Sequence, residues 1–146
     1  SRLHRRKYGQ FLQLRQRQRY FSIYLGINTE ASYPYQGKIQ TCKTSSGFFK
    51  ISGYSNVTSC SALDTALTGR PISVAVDGNN FGNYRSGVFD QCGTSLSLGA
   101  LLVGGTDLYY KLKLSWGTSF GESGYIRLLK VNNICGICQA ASYPLP

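Results

Sequence analysis

Residues 96–129 read LSLGALLVGGTDLYYKLKLSWGTSFGESGYIRLL, and this stretch decides the fold. Residues 99–103 form a continuous apolar run, which predicts a strand covered on both faces. Residues 108–114 alternate Tyr or Leu with lysine, so Lys111 and Lys113 are expected on the solvent side of a second strand. The turn residues at 104–107 join the two runs, and the sequence therefore predicts an antiparallel hairpin.

Outside this stretch the sequence predicts one short helix and several short strands. Ser61 is a plausible helix N-cap, with Asp64 three residues further on. The β-branched run ISVAV at residues 72–76 predicts a buried strand. Residues 125–130 and 141–146 add further extended segments. Together these elements predict an α+β fold in which a small, half-open antiparallel β-barrel carries one helix.

The composition is typical of one domain built from short strands and turns. The 146 residues are 42% hydrophobic and 15% charged, with 17 glycines and 11 tyrosines. Residues 26–50 combine Tyr-Pro-Tyr with glycines and a turn-forming Asn, which predicts a loop-rich connector. No run of about eighteen apolar residues occurs, so no transmembrane segment is predicted.

The net charge of +10 is concentrated at the N-terminus. Residues 1–25 hold seven of the 16 Lys and Arg residues and no acidic residue. We therefore treat residues 1–25 as a basic N-terminal arm and residues 26–146 as the globular part. An Arg-rich, acid-free arm is compatible with an RNA or anionic-membrane partner, or with a mitochondrial presequence. The alternative is a wrongly joined segment without a function of its own.

Five cysteines in 146 residues favour an oxidising compartment. The odd number leaves one cysteine without a partner inside the chain. Asn56-Val57-Thr58 is an N-glycosylation sequon, a triplet that also occurs by chance.

Four segments of this sequence, taken in order, resemble the C-terminal half of papain-family cysteine peptidases such as cathepsin L. They are GINTEASYPYQG, PISVAVDGNNFGNYRSGVFDQCGT, LLVGGTDLYYKLKLSWGTSFGESGYIRL and CGICQAASYP. The resemblance covers residues 26–146 and implies a papain-like fold, of which this chain supplies mainly the barrel domain. In the family a helical domain carries the catalytic Cys and the barrel carries a His and an Asn.

The resemblance implies that the catalytic His and Asn are replaced. Proton transfer needs an imidazole beside the thiolate, and an amide that fixes the orientation of the imidazole ring. In the family the His precedes the GALLVG-like strand and the Asn precedes SWG, and these positions are Leu98 and Leu114 here. No catalytic residue is therefore predicted. The only histidine, His4, lies in the basic arm.

The same resemblance assigns cleft-lining positions to Ala75, Ser97 and Trp116, with the Trp116 indole expected to cover the two leucines. It also implies a disulfide bond between Cys92 and Cys135. Cys42 matches a family half-cystine whose partner is not among these residues.

Cys60 and Cys138 remain, and a bond between them is one alternative. Cys135-Gly-Ile-Cys138 also has the spacing of a redox centre or of half a zinc site. It lies among strand signals, without the helix N-terminus or the two further ligands that those sites need. Neither a metal nor a cofactor is predicted. The carboxylates of Asp77 and Glu122 are expected on the solvated surface.

These observations predict a catalytically inactive papain-like homologue, or a truncated piece of one, that acts as a binding or structural module. One alternative is a part of a functional cysteine endopeptidase, and another is a scaffold whose basic arm binds RNA or anionic surfaces. A protein partner is expected to cover the exposed barrel face. The family implies a lysosomal, vacuolar or secreted location, whereas the basic arm favours mitochondria.

Overall fold

The computed structural model describes residues 26–41, 43 and 46–146. Their contacts divide the chain into two units, of which the second is Ser55–Tyr143 and the first contains the residues up to Tyr54 together with Pro144–Pro146. The basic arm, His4 and Cys42 lie outside the described residues, so the predictions for them stay predictions. No helix among the described residues is long and apolar enough to cross a membrane.

The first unit consists largely of turns, as the loop-rich connector prediction requires. Ile27 and Phe49 form an isolated antiparallel bridge, with backbone N–H···O distances of 2.8 and 3.0 Å. The Glu30 carboxylate accepts from the backbone N–H of Tyr35 at 2.8 Å and so closes a turn between them. Backbone and side-chain hydrogen bonds of this kind hold the segment where regular structure is sparse.

A mainly antiparallel seven-stranded sheet, one α-helix and two short 3₁₀ helices make up the regular structure of the described residues. The strands are β1 (Gly53–Val57), β2 (Ile72–Val76), β3 (Val88–Phe89), β4 (Leu98–Gly105), β5 (Tyr109–Lys113), β6 (Tyr125–Leu129) and β7 (Ala141–Leu145). Their order in the sheet is β1-β7-β2-β4-β5-β6-β3, and the β3–β6 pairing is parallel. The predicted strand at residues 72–76 and the antiparallel β4–β5 hairpin are confirmed.

One prediction about β4 is wrong, because this strand is not covered on both faces. Leu102 is fully buried, whereas the neighbouring Leu101 is 37% exposed. Successive side chains of a strand point to opposite faces of the sheet, so Leu102 faces the core and Leu101 faces the other side. The register with β5 also shifts between Leu102 and Gly104.

The helix α1 spans Cys60–Leu67, and its N-cap is Ser59 rather than the predicted Ser61. The Ser59 hydroxyl accepts from the backbone N–H of Ala62 at 3.1 Å, which satisfies a donor that the first turn leaves unpaired. Both serines are suitable caps by residue type. The predicted capping box with Asp64 is therefore displaced, and Asp64 makes a different contact.

Asp64 connects α1 to the sheet. Tyr110 of β5 donates its hydroxyl to Asp64 Oδ1 at 2.7 Å, and Lys130 Nζ lies 2.9 Å from the same oxygen. Burial of the Tyr110 phenol, reinforced by the bond to Asp64, raises its pKa. The phenol therefore stays protonated and keeps donating throughout the physiological range.

One apolar core lies in the Ser55–Tyr143 unit. Leu63 of α1, Val74 of β2 and Leu112 of β5 are among its side chains with no exposed surface. Because alternate residues of the strands point the same way, the core takes every second side chain of β5 and β6, while Lys111 and Lys113 are exposed as predicted.

Candidate functional site

Leu98, at the position that the resemblance assigns to the catalytic His, is the first residue of β4. It lies opposite Val76 of β2 in the antiparallel register. Its side chain is half-buried and lies against the backbone of Gly78, where an added Cβ would come within 2.8 Å of Leu98 Cδ2. The glycine therefore makes room for the leucine, and the position is filled by hydrocarbon.

Leu114, at the position assigned to the catalytic Asn, follows β5 directly. Its side chain is 6% exposed and belongs to the apolar core. Its backbone N–H donates to the carbonyl of Gly124 at 3.0 Å, and this bond fixes the start of the loop that contains Trp116. Leu98 packs against the same core. Two side chains that can neither accept nor donate a proton therefore occupy the two positions.

Trp116 lies in the loop after β5 and packs against phenylalanines. Its ring meets Phe120 edge-on with centroids 4.9 Å apart, and it meets Phe81 at 6.5 Å. Phe81 has no exposed surface, whereas the indole is 41% exposed. Edge-to-face pairs of this kind are stabilising beyond the area that they bury. These contacts fix the position of the indole. That the indole covers Leu98 and Leu114 stays a prediction.

Ala75 and Ser97, the other two predicted cleft positions, lie on either side of Leu98. Ala75 in β2 is opposite Gly99 and is buried, and its N–H donates to Ala140 at 2.9 Å. Ser97 is exposed, and its hydroxyl accepts from the Gly78 N–H at 3.1 Å. The β2–β4 register therefore brings Ala75 and Ser97 to the same end of the sheet as Leu98.

Two disulfide bonds are formed in the Ser55–Tyr143 unit. Cys92 is bonded to Cys135, with Cα atoms 5.2 Å apart, and Cys60 is bonded to Cys138, with Cα atoms 5.1 Å apart. Of the alternatives that the sequence left open for Cys60 and Cys138, the structure contains the bond between them.

These bonds also decide the state of Cys135-Gly-Ile-Cys138. Each cysteine is bonded to a distant partner, so the two do not form a dithiol pair of their own. The segment turns sharply, with positive φ at Asn133, Cys135 and Gly136, and the Asn133 side chain accepts from the Cys138 N–H at 2.9 Å. The segment is therefore a bend that two disulfide bonds and a side-chain hydrogen bond hold in place.

Asp77 is buried, and the expectation of a solvated Asp77 is wrong. Its side chain accepts from the backbone N–H and the amide of Asn79 at 3.2 and 2.8 Å, and from the N–H of Ser95 at 3.3 Å. An Asp side chain that accepts from the backbone N–H two residues later forms an Asx-turn. The sequence Asp-Gly-Asn-Asn is typical of such a turn. The carboxylate joins the end of β2 to the segment before β4.

Glu122 is likewise engaged rather than simply solvated. Arg127 donates to both carboxylate oxygens, at 2.9 Å from Nε and 2.6 Å from Nη2. The Gly87 N–H donates to the same carboxylate at 3.0 Å. The Gly87 carbonyl in turn accepts from the Tyr84 hydroxyl at 2.7 Å. Glu122 and Arg127 are five positions apart in the sequence, and the turn before β6 brings them together.

The Arg127 contacts set the protonation of Glu122. They hold the pKa of the Glu122 carboxyl at about 2, below its ordinary 4.5, and they raise the pKa of the Arg127 guanidinium. Burial raises the pKa of the neighbouring Tyr84. Glu122 and Arg127 are thus a fixed ion pair. Neither group of this pair therefore changes its charge near neutral pH, as a general acid or base would have to.

A sequence model described as papain family cysteine protease matches residues 14–145. The chain belongs to the papain family of cysteine proteases. The match also takes in residues 14–25 of the basic arm, which lie outside the segment of residues 26–146 that carries the sequence resemblance.

Curated relatives of this papain-family chain include two named proteases. The chain is 42% identical over 123 residues to cathepsin L 2 of Paramecium tetraurelia. This alignment covers 82% of the chain and 39% of that protein. It is 41% identical over 137 residues to vignain of Ricinus communis, covering 82% of the chain and 38% of that protein. The chain therefore spans about two fifths of the length of these relatives.

Solved structures of the family have the same fold. The bromelain protease from Ananas comosus in complex with the E64 inhibitor has a TM-score of 0.80 and 38% identity, over 87% of this chain and 66% of that one. The Carica candamarcensis protease CMS1MS2 in complex with E-64 has a TM-score of 0.81 and 32% identity, over 86% of this chain and 64% of that one. The predicted papain-like fold is confirmed.

Proposed function

We propose that this papain-family chain is catalytically inactive and acts as a binding or structural module. The single observation behind the proposal is the pair of leucines, Leu98 and Leu114, at the positions that the family resemblance assigns to the catalytic His and Asn. Without an imidazole a thiol at ordinary pKa is mostly protonated near neutral pH, and nothing holds a proton for the leaving amine.

The surroundings of the two leucines support the same proposal. Leu114 is buried in the apolar core, and Leu98 fills the space above Gly78. A polar side chain at a core position needs a hydrogen-bond partner, since an unpaired buried amide costs about 1–3 kcal/mol. The replacements are therefore matched to their packing, as expected when catalysis has been lost and the fold kept.

The proposal is tested with the purified full chain and fluorogenic peptide substrates. We expect no hydrolysis that E-64 blocks, and no covalent E-64 adduct in the intact mass. Losing one member of a hydrolase triad costs up to roughly 10⁶-fold in turnover, so the assay must be followed for hours beside an active papain-family protease.

Cys42→Ala supplies the matched control, because Cys42 is the one cysteine that belongs to neither of the two disulfide bonds. Hydrolysis that E-64 blocks and that Cys42→Ala abolishes would overturn the proposal and favour the alternative, part of a functional endopeptidase. Activity that is equal in the wild type and in Cys42→Ala would point to a contaminating protease.

The seven basic residues of residues 1–25 favour a second candidate function, the binding of RNA or an anionic surface. Binding through phosphates weakens steeply as the salt concentration rises. A truncation that removes residues 1–13 deletes four of the seven basic residues and leaves the family match intact. Binding of a labelled RNA or of anionic vesicles that survives removal of residues 1–25 would contradict this candidate.

As part of the proposed binding role, a protein partner covers the exposed face of the sheet. Large apolar side chains of the Ser55–Tyr143 unit are exposed, among them Leu101 at 37%, Val88 at 43% and Trp116 at 41%. Exposed apolar surface of this kind is typical of interaction sites when it is contiguous. A protein that remains monodisperse and monomeric at high concentration would count against the need for such a partner.

A further inference from the structure

We propose that Asn56 is a site of N-linked glycosylation. Asn56-Val57-Thr58 is the only place in the sequence where Ser or Thr follows an Asn by two positions. The acceptor chemistry requires that triplet, with a residue other than proline in the middle. The inference goes beyond the proposed function, since it concerns a modification of the surface rather than the catalytic positions.

The position of the triplet in the fold suits an attached oligosaccharide. Asn56 lies in β1, which is the end strand of the sheet order. The side chains of Asn56 and Thr58 are exposed, whereas Val57 between them is 7% exposed and belongs to the core. Because alternate residues of a strand point to opposite faces, the buried valine directs the asparagine to the solvent side. A bulky glycan is accommodated there without disturbing the core.

The disulfide bonds give the second, independent observation. Four of the five cysteines are paired in two bonds, and the Cys60–Cys138 bond begins two residues after Thr58. Structural disulfide bonds form and persist in oxidising compartments, including the lumen where N-glycosylation takes place. The paired cysteines and the exposed sequon therefore point to the same compartment.

The reaction is a transfer of an oligosaccharide from a lipid pyrophosphate donor. The Asn56 amide nitrogen forms a bond to the anomeric carbon of the sugar, and the bond from that carbon to the lipid pyrophosphate oxygen breaks. The amide loses one proton, and the lipid pyrophosphate is the leaving group. A chain modified in this way keeps the solvent face of β1 covered, so its protein partners bind elsewhere.

The test is translation of the full chain behind a cleavable secretion signal in the presence of microsomes. We expect a protease-protected product with one glycan that a peptide N-glycosidase removes. Asn56→Gln and Thr58→Ala should each abolish the modification, and Thr58→Ser should retain it. Asn83→Gln changes an exposed Asn outside any sequon and should leave the modification intact.

Transfer to the nascent chain precedes folding, so a variant that folds poorly still reports on the site. A wild-type product that is protected inside the microsomes but carries no glycan would overturn the proposal. A glycan that persists in Asn56→Gln would also overturn it.

Discussion

Arg127 binds Glu122 through two nitrogens, Nε and Nη2, and this pair joins the turn before β6 to the strand itself. Because the bonds favour the ionised carboxyl, they lower its pKa to about 2 from 4.5. A group whose pKa is lower in the folded state stabilises the protein above its ordinary pKa, and the contribution is lost as the pH falls toward the folded value.

We therefore predict that Glu122→Gln lowers the free energy of unfolding at pH 7. The difference from the wild type should shrink between about pH 4.5 and pH 2, the interval that the pKa shift defines. Urea unfolding at a series of pH values measures it. Asp107→Asn, a change of an exposed loop carboxylate, is the control and should be nearly neutral. A Glu122→Gln difference that stays constant from pH 7 to pH 2 would contradict the assignment.

Asp77→Ala should destabilise the protein because it leaves the N–H groups of Asn79 and Ser95 without their acceptor. Hydrogen bonds to a charged group contribute about 1.5–3 kcal/mol to the free energy of unfolding, and the loss should be of that size. Asp77→Asn keeps one acceptor oxygen, so its loss should be smaller. Denaturant unfolding of both variants beside Asp107→Ala measures the ranking, and equal losses for Asp77→Ala and Asp107→Ala would refute it.

Leu114→Asn should destabilise the protein by about 2–4 kcal/mol, since it removes buried apolar surface and places an amide in the core. The matched control is Leu108→Asn, because Leu108 is 71% exposed and Leu114 only 6%. The control should change stability by less than about 0.5 kcal/mol. Comparable thermal midpoints for the two variants would show that position 114 still accommodates the family's asparagine.

Replacing Cys60 and Cys138 together by Ala should lower the free energy of unfolding by about 3–4 kcal/mol, because the bond closes a loop of 78 residues in the unfolded chain. Replacing Cys92 and Cys135, which are 43 residues apart, should cost slightly less. Calorimetry under non-reducing conditions measures both, with Cys42→Ala as the control for loss of a thiol. Losses near zero for both pairs would mean that the bonds do not constrain the unfolded chain.

Local signals predicted the elements that depend on neighbouring residues. The β-branched run of β2 and the alternation of Tyr, Leu and Lys in β5 follow from the two-residue repeat of a strand, and both strands are present. The helix was predicted, but with Ser61 as its cap, because Ser59 and Ser61 are equally suitable by residue type. Only the hydrogen bond to Ala62 distinguishes them.

The contacts around the candidate site could not be predicted in the same way. Asp77 reaches Ser95 across 18 residues, and Trp116 packs on Phe81 across 35. Such contacts depend on the β2–β4 register and on the path of the loops, which no local pattern encodes. The burial of Asp77 could therefore not be predicted. Glu122 pairs with Arg127 only five positions further on, and that contact depends on the turn before β6.

The sequence by itself determined the family and the residue types at the positions that the resemblance assigns to catalysis. The resemblance rests on sequence segments in a fixed order, and the leucines at positions 98 and 114 are present before the chain folds. The tertiary structure decided that Leu114 is core, that Val88 and Phe89 pair in parallel with β6, and that Cys60 meets Cys138 across 78 residues. The reason is physical: side-chain chemistry and strand periodicity are local, whereas burial and pairing depend on which distant segments the folded sheet brings together.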